Sequence, residues 1–250
     1  MGESLSSRDR LSLEVQRGVG LLVAPLWVPL CAGLARWVFG WRVEGISELR
    51  RQYAQLRRES SSPLLICPNH LTMLDSAVVA HALGSWPWYL THYSAMPWNV
   101  PERRHFASNW WKRALVFLMK CVPVERGGDR KAVGASLDRL TYVLQRGDTA
   151  LIFPEGQRSR TGRVDPQATT YGIGRIVKTL PGCRVLCVYA RGEKQDSWST
   201  LPARNQRIRV QLDCFEPKTD ARGLRGSVDL SRQILLRLAQ LERRHFDGGQ

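Results

Sequence analysis

Leu64-Leu-Ile-Cys-Pro-Asn-His-Leu-Thr-Met-Leu-Asp75 decides how the rest of the chain is read. Leu64 to Cys67 is an apolar run with the length of a buried strand. Pro68 lacks the N–H that a ladder needs, so the strand should stop there, with Asn69 and His70 in a tight turn. Leu74, Ala77, Val78 and Ala82 fall at helical spacing and predict a helix over about 74–82. His70 then lies at the carboxyl end of a strand, and Asp75 in the first turn of a helix. With a turn between them, the carboxylate can fold back onto the imidazole. A His–Asp general-base pair needs this: the carboxylate fixes tautomer and ring orientation and stabilises the imidazolium. Alone, the stretch has a plainer reading, with Asn69 as a helix cap, His70 as a surface turn residue and Asp75 as a charge suited to the helix dipole.

A second constellation tips the balance. Thr149-Ala-Leu-Ile-Phe153 reads as a buried strand and runs into Pro154-Glu-Gly-Gln-Arg-Ser159. If the two strands are parallel, both turns leave the sheet at the same end. Gly156 permits a tight bend with backbone N–H groups free to face a ligand. Arg158 offers a forked cation for a phosphate dianion and Ser159 a hydroxyl. Glu155 either holds the loop by accepting hydrogen bonds or meets the hydroxyl of a bound acceptor. Cys121-Val-Pro-Val-Glu-Arg126 predicts a third strand, ending on Arg126. The competing reading is a charged surface turn with a local Glu–Arg pair.

The chain has 250 residues and a formal net charge of +15, mostly from arginine, which favours anionic partners such as lipid headgroups, phosphorylated substrates or nucleic acid. Six cysteines include no C-x2-C pair, and most lie in strand-like runs; they read as reduced core residues, with no metal site. Gly18 to Ala35 carries no charge. As helix it spans about 27 Å, just short of a hydrocarbon core, and Pro25 and Pro29 should kink it. Arg36 and Arg42 flank an aromatic segment, Trp37 to Trp41. A re-entrant or monotopic anchor, a single transmembrane helix and a buried helix all fit; the first two put the protein at a bilayer. Eight of the nine tryptophans precede Lys112, a headgroup-level composition for the front half.

Further elements are expected as a short strand over 42–45, a helix capped by Ser47, a strand over 88–93 and an irregular basic, aromatic loop over 94–109. An amphipathic helix follows over 110–119, then a helix after Asp129 to about Gly147, and a helix over 168–179. Strands over 183–189 and 207–215 and a final helix over 227–245 complete the chain. The pattern is α/β: a mixed, largely parallel central sheet flanked by helices, behind an N-terminal membrane-associating segment. Residues 1–41 are expected as the anchor and 42–250 as the catalytic domain.

Asn69-His70-x4-Asp75 and Phe153-Pro-Glu-Gly-x-Arg-Ser159 resemble the first and third signature blocks of the glycerolipid acyltransferase family, which includes the lysophosphatidic acid acyltransferases. Val122-Pro-Val-Glu-Arg126 resembles the second block, and Val185-Leu-Cys-Val-Tyr-Ala-Arg-Gly192 sits where the fourth belongs, with Cys187 at a position usually held by proline. The resemblance implies transfer of an acyl chain from acyl-CoA or acyl carrier protein to a lipid hydroxyl, with no further cofactor. It implies His70 as base and Asp75 as its orienting partner. Asn69, Arg126, Glu155, Gly156, Arg158 and Ser159 would bind the acceptor, with the two arginines on its phosphate. A lysophospholipid such as 1-acylglycerol-3-phosphate is the first expectation for that acceptor, and a lyso-aminolipid or other specialised alcohol the alternative. The expected location is the cytoplasmic face of the inner membrane, on an anionic bilayer surface.

Other classes fit less well. A nucleic-acid-binding protein would explain the charge but not the uncharged segment 18–35, and no helix-turn-helix, RNP or zinc-finger pattern is present. A thioester hydrolase would replace the acceptor with water, and the chain has no Gly-x-Ser-x-Gly elbow. A non-catalytic scaffold of the same fold predicts broken motifs, whereas His70, Asp75, Glu155 and Arg158 are all present.

Overall fold

A computed structural model describes residues 5–103, 109–125, 128–168 and 170–248. Arg126, expected to close the third strand, lies outside the described residues, as do Arg104 and His105 of the basic loop. The elements run α1 (Ser7–Gly33), β1 (Arg42–Val43), α2 (Ile46–Glu59), β2 (Leu64–Pro68), α3 (Asp75–Leu83), α4 (Trp86–Thr91), β3 (Trp98–Asn99) and α5 (Trp110–Leu118). Then come α6 (Arg130–Gln145), β4 (Ala150–Leu151), α7 (Tyr171–Thr179), β5 (Arg184–Gly192), β6 (Arg207–Phe215) and α8 (Gly223–Asp247).

The strands form one sheet in the order β1-β6-β5-β2-β4-β3. All neighbours are parallel except β5 and β6, which run antiparallel. β2 is central, with Ile66 opposite Leu151 of β4 on one side and Leu186 of β5 on the other. Side chains alternate across a strand, so β2 and β5 supply two cores. Leu65, Cys67, Val185 and Cys187 pack with Leu140 of α6, Ile176 of α7 and Ile234 of α8. Leu64, Ile66, Leu186 and Val188 pack with Tyr53 of α2, Val79 of α3 and Val28 of α1. This is a helix–sheet–helix sandwich.

Several elements depart from expectation. Residues 88–93 are not a strand: α4 covers Trp86–Thr91, begun by Ser85, whose hydroxyl accepts the Trp88 N–H at 3.4 Å. Pro87 stands in its first turn, where a missing N–H costs little. The loop expected over 94–109 contains an edge strand, β3, and Trp98 is fully buried. Residues 121–125 do not form a continuous strand; they touch the 99–102 segment through isolated bridges at Cys121 and Val124, on either side of Pro123, which has no N–H to donate. Ser47 does not cap α2, because Gly45, at φ +61°, turns the chain into the helix two residues earlier. All six cysteines are free.

α1 runs helically through Pro25 and Pro29, and a wider π-helical turn, Leu34–Val38, follows. One side of α1 is buried along its length at Leu13, Gln16, Gly20, Ala24 and Val28. Gln16 Nε2 donates to the carbonyls of Phe117 and Cys121 at 3.0 and 2.9 Å. At Gly20 a Cβ would lie 2.6 Å from the Tyr93 hydroxyl, so the helix packs tightly there. Arg17 Nε pairs with Asp148 at 3.0 Å. Asp148 also accepts from Trp98 Nε1 at 2.9 Å and stands 3.6 Å from Nζ of the fully buried Lys120. Burial pulls the Lys120 ammonium down to about 7, against the opposing pull of Asp148.

α7 and α8 cross at Gly174, whose N–H donates to Ser231 Oγ at 2.9 Å. A Cβ there would sit 1.7 Å from the Ser227 carbonyl oxygen. Gly174→Ala is therefore expected to push the helices apart and lower stability by about 1–3 kcal/mol, despite alanine's better helix propensity. Denaturant unfolding of the two proteins measures it, and equal midpoints would show that the crossing is slack.

Candidate active site

The first turn follows from where β2 ends. Asn69 N–H still pairs with the Val188 carbonyl at 3.2 Å. The Asn69 side chain bridges to β5 in both directions, donating to the Ala190 carbonyl at 3.1 Å and accepting the Ala190 N–H at 2.8 Å. Its amide thus stitches the turn to the sheet, where a direct ligand contact was expected. His70 comes next, 9% exposed, with its ring stacked on Phe153 at 3.8 Å between centroids.

Asp75 opens α3 and folds back over this turn. Its Oδ2 lies 3.0 Å from His70 Nδ1 and accepts the N–H groups of Leu71 at 2.5 Å and Thr72 at 2.7 Å. Oδ1 accepts the Thr72 hydroxyl at 2.6 Å. A carboxylate so surrounded, at a helix N-terminus, is held in one orientation. It takes the proton-bearing Nδ1 of His70, which leaves Nε2 as the basic nitrogen. Thr72 was not among the expected site residues. Its signal was present, since Thr72-x-x-Asp75 has the spacing of a capping box.

The second turn arrives from β4, the parallel neighbour of β2. Glu155 Oε1 accepts the His70 N–H at 3.1 Å, and the Ser159 N–H donates to the His70 carbonyl at 2.9 Å. The two turns are therefore joined through the main chain of His70. Glu155 is 6% exposed. Burial pushes its carboxyl up to about 8, opposed by the His70 N–H and reinforced by Glu242, Asp75 and Asp165. Gly156 sits at φ +70°, as a tight bend requires, and its N–H closes the turn onto the Phe153 carbonyl at 3.1 Å. The Ser159 hydroxyl is engaged within its own loop, donating to the Arg163 carbonyl at 2.5 Å and accepting the Arg163 N–H at 3.0 Å. It shapes the loop, where a ligand contact was expected. Arg158 is half-buried, with its guanidinium 5.2 Å from the Trp198 ring.

A family model described as Acyltransferase matches residues 41–191, from the edge strand β1 through both turns and nearly all of β5. The chain belongs to the Acyltransferase family. The chain is an acyltransferase, and the matched segment contains His70, Asp75 and Glu155. Among solved structures, it is similar to the crystal structure of the 1-acyl-sn-glycerophosphate (LPA) acyltransferase PlsC from Thermotoga maritima. The likeness has 16% sequence identity and a TM-score of 0.50, and covers 94% of this chain and 97% of that one. At that identity it speaks to the fold: a mostly parallel mixed sheet between helices, preceded by a long apolar helix.

Two further residues of this acyltransferase hold the site from behind: Glu242, which carries no local sequence signal, and Arg191, within the Val185–Gly192 stretch, whose role that stretch did not assign. Glu242, on α8, accepts the Val164 N–H and the Tyr189 hydroxyl at 3.2 and 3.3 Å. Arg191, at the end of β5, donates to the carbonyls of Gly162 and Asp196, both at 2.6 Å. Glu242 reaches partners 78 and 53 residues away, and Arg191 joins Gly162, 29 residues away, to the nearby Asp196.

The Glu155 carboxyl gives a measurable pH dependence. Folded, it keeps its proton up to about pH 8; in the unfolded chain it titrates near its ordinary value of 4.5. The folded state binds more protons over that interval, so this group's contribution to stability falls as pH rises from about 4.5 and levels off above about 8. Glu155→Gln should flatten that slope while keeping an oxygen for the His70 N–H. Unfolding titrations at pH 5, 6.5 and 8 compare the two; parallel pH dependences would mean that Glu155 is ionised throughout.

Proposed function

We propose that the protein transfers an acyl group from the thioester of acyl-CoA or acyl carrier protein to the hydroxyl of a lysophospholipid such as 1-acylglycerol-3-phosphate. The observation that supports this reading is His70 held at three points: Nδ1 on Asp75 at 3.0 Å, N–H on Glu155 and C=O on Ser159. His70 Nε2 takes the proton of the acceptor hydroxyl as its oxygen attacks the thioester carbonyl. The tetrahedral intermediate collapses with cleavage of the C–S bond. The departing thiolate takes the proton back from the imidazolium, so the base is regenerated and the products are ester and thiol. Asp75 steadies the transient imidazolium. Glu155, protonated near neutral pH, offers both a donor and an acceptor beside the base. Arg158, with Arg126, serves the acceptor's phosphate.

The reading includes an in-plane membrane contact. α1 buries one side in the protein and presents Leu11, Leu22, Leu26, Leu30 and, past its end, Trp37 on the other, all more than half exposed. Trp110 of α5 is 82% exposed. A helix packed lengthwise on its own domain supports the monotopic arrangement over a single span. The net charge of +15 suits an anionic, cytoplasm-facing surface.

His70→Ala should lower kcat by about 10²- to 10⁴-fold, the range for loss of a general base, while the protein still folds. Turnover within a few-fold of wild type would remove His70 from the chemistry. Leu22→Ser with Leu26→Ser should weaken partitioning into phosphatidylglycerol vesicles on the order of a hundredfold, from two lost leucine contacts. Vesicle sedimentation reads this out, and undiminished binding would move the contact elsewhere on the surface.

A further inference from the structure

Between β5 and β6 the chain makes a 14-residue connection, 193–206, that belongs to none of the expected motifs. It carries Trp198, the ninth tryptophan, far from the other eight. The connection is docked on both chemical turns. The Ser199 N–H donates to the Leu71 carbonyl at 3.0 Å, and the Met73 N–H to the Thr200 carbonyl at 3.1 Å, two bonds flanking Thr72 inside the His70–Asp75 turn. On the other side it meets the loop that follows Arg158. Gly162, at φ +70°, approaches so closely that a Cβ would lie 2.7 Å from Ser197 Cα and 2.9 Å from the Asp196 carbonyl oxygen. Arg191 binds the carbonyls of Gly162 and Asp196 together. The connection is thus a built part of the site's wall.

Its contact with Arg158 is specific in kind. The guanidinium carbon lies 5.2 Å from the Trp198 ring centroid, and Nη1 is 3.5 Å from the Ser199 carbonyl oxygen. An aromatic contact of this kind restrains a guanidinium without using its N–H donors, and those donors are what a phosphate needs. It also lowers the rotamer freedom that a long side chain loses on binding. Trp198 is itself 45% exposed, so it stands at the mouth of the site and not in the core.

We propose that Trp198 is a positioning residue for the acceptor: it holds the Arg158 guanidinium where it receives the acceptor's anionic headgroup, and so favours phosphate-bearing acceptors over neutral ones. This rests on the reading of Arg158 as an acceptor-binding residue. Trp198 takes no part in the proton transfer or in donor binding.

The test is steady-state kinetics on the full chain in detergent micelles, with 1-oleoylglycerol-3-phosphate and its neutral counterpart 1-oleoylglycerol as acceptors. Trp198→Ala should raise KM for the phosphate acceptor roughly two- to fivefold, the worth of one partly exposed cation–π contact, with kcat and the donor KM unchanged. Trp198→Phe should recover most of that loss. Trp198→Leu, which keeps apolar bulk without a π face, should not, and it serves if the alanine variant folds poorly. Combined with Arg158→Ala, the tryptophan change should add nothing. An unchanged acceptor KM in both Trp198→Ala and Trp198→Leu, an equal effect on the neutral acceptor, a raised donor KM or full additivity with Arg158→Ala overturns the proposal. Arg158→Ala alone separates the two levels. If it raises the phosphate-acceptor KM while the Trp198 variants do not, only this proposal fails; if it leaves that KM unchanged, the reading of Arg158 fails as well.

Discussion

The structure turns on the main chain of one residue. His70 has its N–H taken by Glu155 and its carbonyl by Ser159, both from the turn that follows β4. That clamp exists because β4 lies beside β2 and parallel to it, so two loops 85 residues apart leave the sheet together. Ligands in open α/β sheets gather at such carboxyl ends for the same geometric reason. The arrangement carries a cost: a carboxyl is sealed among other acidic groups and driven toward its neutral form. The fold accepts this because the same carboxyl fixes the backbone from which the imidazole projects.

The second constraint is the sharing of α1 between two jobs. Leu13 joins the core on one side of the sheet, and Ala24 and Val28 the core on the other. Through Arg17 the helix reaches Asp148, which is also bound by Trp98 and lies near Lys120. A buried cluster of this sort is costly unless every member is paired, and here each has partners. The outer side of the helix, by contrast, is apolar and bare. α1 is therefore as much a structural helix of the domain as, on the proposed reading, a membrane-facing one.

Much of this was legible in the sequence. β2 and β5 announce themselves through apolar runs, β6 through alternation of polar and apolar residues, and α3, α6 and α8 through helical periodicity, and the His70–Asp75 spacing across a turn anticipates the contact that forms. The reading failed where short aromatic segments carry no clear period. Residues 88–93 are rich in strand-forming types but are recruited to a helix by Ser85, and Trp98 pairs as a strand inside what reads as a loop. It also could not foresee how polar side chains divide between ligand and scaffold. Asn69 and Ser159 look like ligand groups by position, yet each finds backbone partners that only the folded arrangement brings near. Glu242 and Trp198 act through contacts that no local pattern encodes.

The sharing of α1 has a consequence for how the molecule is made. Arg17 waits for Asp148, 131 residues downstream, before its ion pair can close. At ribosomal speeds that interval is on the order of ten seconds, during which α1 has emerged and its domain has not. A long apolar helix cannot stay unpartnered in water for that time without risk of aggregation. On the proposed in-plane reading, the bilayer is the first partner at hand for its outer side, and the rest of the protein would assemble onto a helix already resting on a surface.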